Sequence, residues 1–81
     1  MKFTQYFLHT RQRADRRRIR GEWIQAAVEK PLHEETQSDG RIRRWTWVKE
    51  EDKWLRVILL EDGVTVHNAF FDRDFRARQE E

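Results

Sequence analysis

Past Pro31 the chain is cut by three short turn signals into four stretches of strand length, and that punctuation leaves few folds open. Asp39-Gly40, in "QSDGR", is a dipeptide favoured in tight hairpins because its backbone tolerates positive φ. "EEDK" and "EDG" provide the other two breaks. Around them lie "LHEET", "RIRRWTWVK", "WLRVILL" and "VTVHNAFF", rich in the β-branched and aromatic residues that suit a pleated surface. Four such stretches joined by short turns predict an antiparallel meander.

The first part of the chain reads as helical. In "GEWIQAAVEKP", Trp23, Ile24, Ala27 and Val28 fall at helical spacing, with Glu22 in the first turn, Lys30 in the last and Pro31 as the stop. Between Thr10 and Gly21 there is neither Gly nor Pro, so a first helix is predicted from a Thr10 cap to about Arg18–Arg20. "MKFTQYFLH" reads as a short strand or an extended lead-in, and residues 74–81 as a ragged or weakly helical tail. The expected fold is therefore α+β: two N-terminal helices on a four-stranded antiparallel sheet, one domain over residues 1–81 with its core in 7–73.

Eighty-one residues bury only about 60 to 65% of their unfolded surface, so the core is thin. With no cysteine to staple it, the four Trp and five Phe are expected to supply much of its apolar area. No apolar run approaches the roughly 20 residues of a membrane span, and no signal-peptide pattern is present, so a cytoplasmic setting is expected.

Charge is unevenly spread. The formal net charge is only +2, yet residues 1–48 carry eleven Lys or Arg against six Asp or Glu, and residues 49–81 carry six against nine. Thirteen of the seventeen cations are Arg, whose planar fork suits phosphate and carboxylate. "LHTRQRADRRRIR", residues 8–20, holds six of them. On an ideal helix His9, Arg13, Arg16, Arg17 and Arg20 share one side, a stripe whose like charges cost a few tenths of a kcal/mol per i,i+4 pair. Three partners fit such a stripe: intramolecular carboxylates (Glu22, Glu29, Glu34, Glu35), a nucleic-acid phosphate backbone, or an acidic protein. On the strand "RIRRWTWVK", Arg41, Arg43, Trp45 and Trp47 alternate onto one face, where Arg beside Trp would hold single-stranded RNA by stacking, or the Trp would simply be core.

His67, in "VTVHNAFFDR", is either a hydrogen-bonded structural histidine or a proton-transfer group. Paired with His9 and with Arg13 as charge stabiliser, it would meet the needs of metal-free RNA cleavage: a base for the 2′-hydroxyl, an acid for the leaving 5′-oxygen, and a cation for the phosphorane. His9, His33 and His67 have no zinc-ligand spacing, no metal or cofactor site is expected, and no nucleotide-binding loop or nucleophile elbow occurs. Asp72 and Asp74, beside Arg73 and Arg76, read more readily as ion pairs than as a divalent-ion site.

The order His9, Arg13, Arg17, Ile19, "WIQAAVEKP", "DGR", "LRVILLEDG" and "VTVHNAFFDR", over roughly residues 7–73, resembles a family of small bacterial domains similar in layout to the BrnT and RelE-type toxins of toxin–antitoxin systems. The resemblance implies helices on a curved antiparallel sheet and metal-independent endoribonuclease action on mRNA, checked by a protein antitoxin. His9 and Arg13 match positions of that pattern, whereas the role of His67 comes from the residues alone. Arg16, Arg17, Arg20, Arg41, Arg43 and Trp45 are the residues expected to hold RNA. A noncatalytic module binding RNA or an acidic partner through the same cations, or a structural domain with internal ion pairs, is the alternative.

Overall fold

The computed structural model describes residues 1–75. Its elements are β1 (Lys2–Phe3), α1 (Gln5–Thr10), α2 (Gly21–Glu29), β2 (His33–Thr36), β3 (Ile42–Val48), β4 (Lys53–Leu59) and β5 (Thr65–Phe71). The strands form one sheet in the order β1-β5-β4-β3-β2. The meander β2 to β5 is antiparallel as expected, but β1 joins the β5 edge in parallel, pairing Lys2 with Thr65 and Phe3 with Val66. The sheet is thus five-stranded and mixed, where four antiparallel strands were expected. The added strand is two residues long, below the length at which alternation can be read.

The larger correction concerns the first helix. It spans Gln5–Thr10, and Thr4 is the N-cap, its hydroxyl accepting from the Phe7 N–H at 3.0 Å. Thr10 lies at the end of this helix and is buried. Residues 11–19 then run through single turns, with Gln12 N–H to His9, Arg13 to Thr10, Arg16 to Arg13 and Ile19 to Arg16, each closing over three residues. A helix over this stretch would have only the small Ala14 to bury between Thr10 and Ile19. Short helices in water need tertiary packing to persist, and stacked like charges oppose them.

The second helix forms where its periodicity places it, burying Trp23, Ile24 and Ala27, with Lys30 as C-cap just beyond it. Gly40, at φ 92°, closes the β2–β3 hairpin. At the β4–β5 turn the Asp62 carboxylate accepts from the Val64 and Thr65 N–H groups and the Thr65 hydroxyl. The Thr65 hydroxyl, then the two backbone donors, hold its pKa down at about 2.

One sheet face meets the helices. Phe7, Ile19, Trp23, Ile24 and Ala27 pack there against Val48, Leu55, Val57, Leu59, Val66 and Ala69. The largest fully buried side chains are aliphatic, Leu55, Val57, Leu59 and Val66. Of the four Trp only Trp23 belongs to this core. Trp45 is buried against the opposite face, and Trp47 is exposed.

On that opposite face the chain after β5 folds back over the sheet. The Phe75 ring stacks on Trp45 with centroids 4.4 Å apart and meets the edges of Trp54 and His33. Asp72 accepts from Trp45 Nε1 at 3.0 Å and pairs with Arg56 at 2.7 Å, while Arg56 lies over both Trp45 and Phe70. Burial raises the Asp72 pKa, but the bonds from Trp45 and Arg56 and the Arg56 charge outweigh it, leaving the carboxyl below its usual value. Residues 74 and 75, expected to begin a tail, are part of this layer; residues 76–81 lie outside the described residues.

Candidate phosphate-binding cleft

β5 carries an irregularity that decides where His67 points. Leu59 pairs with Val66 and Ile58 with Asn68, so His67 is the extra residue of a bulge. Bulges re-aim side chains. Here the bulge lets Val66 and Ala69, three apart, both face the core. The His67 Nδ1 lies 3.1 Å from the Thr4 hydroxyl, and its ring stacks on Tyr6 at 4.8 Å. Burial, then the Arg41 charge, lowers its pKa. His67 is therefore a structurally engaged ring that ties the α1 cap to β5. His9 is exposed on the last turn of α1, and Arg13 beyond it faces Asp15 at 3.6 Å. Nothing in this geometry joins His9, His67 and Arg13 in one hydrogen-bonded arrangement.

The cations behave as individuals. Arg18 pairs with Glu51, Arg41 with Asp39, Arg43 with Glu35 and Arg44 with Glu34. Arg20 lies over the Trp23 ring. The expected stripe of His9, Arg13, Arg16, Arg17 and Arg20 is therefore dispersed, because the helix that would align it is replaced by turns. The carboxylates that meet this segment are Asp15 and Glu51, in place of Glu22 and Glu29. On β3, Arg43 and Trp45 share a face as expected, but Trp45 is only 4% exposed, roofed by Phe75 and bonded to Asp72, so it offers no open platform for a base.

Two of the predicted residues do converge. Arg16 and Arg17, together with Arg11 and Gln12, rim a cleft of about 420 Å³ whose floor is Phe7, Thr10, Ile19, Ile24 and Ala69. Arg16 is held in place from β5: its guanidinium donates to the Asn68 side-chain carbonyl at 2.7 Å and to the Ala69 backbone carbonyl at 3.4 Å, and it lies over the Phe70 ring. This contact covers the part of β5 beyond the reach of β1. The Arg16 Nε is buried without a hydrogen-bond partner, the Asp15 carboxylate lying 3.5 Å away. Arg11, over the Phe7 ring, and Arg17 are exposed and, among the described residues, pair with no carboxylate.

Three guanidinium groups around a concave apolar floor make a site for an anion. The carboxylate beside them, Asp15, is shared with Arg13, so the mouth keeps a net positive charge. A second hollow, lined by Asp39, Arg41, Leu60, Glu61 and Asp62, holds three carboxylates against one guanidinium and would repel the same ligand. Arg11 was missed by sequence reasoning because it lies off the expected stripe; its place four residues after Phe7 was the available signal.

Among the described residues no group of His, Asp or Glu is arranged to hold a metal ion, and no helix is long and apolar enough to cross a membrane. Comparison with protein-family models, curated proteins and solved structures finds no match to this chain. The likeness to BrnT and RelE-type toxins rests on the quoted residues alone.

Proposed function

We propose that this domain is a noncatalytic module that binds the phosphate groups of single-stranded RNA through the arginine-rich segment between α1 and α2. The observation that carries the reading is the convergence of Arg11, Arg16 and Arg17 on one cleft, with Arg11 and Arg17 pairing with no carboxylate among the described residues, whereas Arg13, Arg18, Arg41, Arg43, Arg44 and Arg56 each face a carboxylate of the protein. Each phosphate neutralised there releases condensed counterions, which makes affinity salt-dependent. Arg20, exposed on the same segment, extends the electrostatic footprint. Cleavage is not part of this reading, since general acid–base catalysis needs two groups within reach of one phosphate, and His67 is engaged with Thr4 and Tyr6.

The test is a labelled RNA oligonucleotide incubated with the purified protein without metal, read by mobility shift and by denaturing gel. The reading expects a retarded complex from which RNA of unchanged length is recovered. Fragments ending in 2′,3′-cyclic phosphate would replace it with the ribonuclease reading, and the absence of a complex at low salt would remove both.

A further inference from the structure

Resting on that reading, we infer that the cleft takes a terminal phosphomonoester carried on a nucleoside, in preference to an internal phosphodiester. Charge is the first ground. The mouth presents Arg11, Arg16 and Arg17, and the one carboxylate beside them, Asp15, is shared between Arg16 and Arg13, so the excess of cations favours the dianion of a phosphomonoester. An internal phosphodiester carries one negative charge. Shape is the second. The cleft is a concavity with an apolar floor, and at about 420 Å³ it falls within the range of pockets that enclose small organic ligands. Inorganic phosphate would leave Phe7, Ile19, Ile24 and Ala69 uncovered, whereas a nucleoside attached to the phosphate covers them. An internal nucleotide must also let the chain leave on both sides, which a floored hollow opposes.

The third ground is the anchoring of Arg16. Its side chain is 15% exposed and fixed by Asn68, Ala69 and Phe70. A guanidinium already fixed in place contributes its charge to an anion site with little further ordering cost. Arg11 and Arg17 are exposed and close over the phosphate from the rim. The phosphomonoester has two sources, a free nucleoside monophosphate or the 5′ end of a phosphorylated strand, with the same chemistry at the cleft.

A short oligouridylate with a 3′ fluorophore, prepared with either a 5′-phosphate or a 5′-hydroxyl, separates the possibilities by anisotropy. The 5′-phosphorylated strand is expected to bind about tenfold tighter, the worth of one charge-assisted contact. Arg11→Gln and Arg17→Gln are each expected to erase most of that difference. Both side chains are exposed, and circular dichroism checks that the variants fold. Uridine monophosphate as competitor assigns the source: displacement of the labelled strand means the free nucleotide suffices, and a kept 5′-phosphate preference without displacement means the strand end is required. Equal binding of the two strands overturns this inference while leaving the phosphate-binding reading intact. Failure of both strands to bind overturns that reading as well.

Discussion

Replacing Asp72 with Ala probes the polar joint beneath the aromatic layer. Asp72 is 7% exposed and accepts from Trp45 Nε1, from Arg56 and from the Asp74 and Phe75 N–H groups. The substitution strands the Trp45 donor in a buried position, at about 1 to 3 kcal/mol. It also unpairs Arg56; loss of a buried pair costs roughly 3 to 5 kcal/mol, but the Arg56 side chain is 24% exposed, so water relieves much of that. Because the two losses share one carboxylate they do not add, and about 3 kcal/mol is expected overall. For a domain of this size that is a drop in Tm of about 12 to 24 °C. Urea and thermal unfolding followed by Trp fluorescence would measure it, with exposed Asp74→Ala as a control expected to change stability by less than about 0.5 kcal/mol. The sign with pH follows from the depressed Asp72 pKa. Its stabilising contribution is complete above the unfolded carboxyl pKa of about 3.9 and is lost as pH falls through the lower folded value. The gap between wild type and Asp72→Ala should therefore close in acid. A loss below about 1 kcal/mol at neutral pH, or a gap that does not change with pH, would refute the assignment of Asp72 as the joint.

Further outcomes follow from other positions. Gly21 opens α2 without positive φ, and a methyl group added there would meet no neighbouring atom, so Gly21→Ala should stabilise by roughly 0.4 to 1 kcal/mol, whereas Gly40→Ala, at φ 92°, should destabilise by about 1 kcal/mol; chemical denaturation separates the two. An NMR titration should place the His67 midpoint below 6.5, and stability should fall as pH drops from 6.5 through that midpoint, because the unfolded state binds the proton more tightly. A midpoint at or above 6.5 would contradict its burial. The Asp62 carboxyl should titrate near pH 2, and Thr65→Val should raise that midpoint by removing its main donor.

The legibility of the fold tracks how local each cause is. Helix α2 is readable because Trp23, Ile24, Ala27 and Pro31 encode its face and its end within eleven residues, and the meander because Asp39-Gly40 and Asp62-Gly63 mark turns locally. The first helix is misplaced by propensity because helix-forming residues at 11–18 say nothing of what they would bury; the Thr4 cap and the Phe7 and Thr10 pair lie just upstream. The parallel pairing of Lys2 and Phe3 and the stacking of Phe75 on Trp45 depend on partners about 30 to 60 residues away, for which spacing carries no signal. The cleft is half legible. Its cations sit in one segment, but its floor is assembled from α1, Ile19, α2 and β5.

That Arg11, Arg16 and Arg17 form one phosphate-binding mouth is tested by the salt dependence of RNA affinity for wild type and for the Arg11→Gln, Arg17→Gln double variant. Log affinity should fall with log salt, by about 0.7 for each strand phosphate neutralised, and the slope should become shallower when the two rim cations are removed. Identical slopes for the two proteins, or an affinity indifferent to salt, would contradict it.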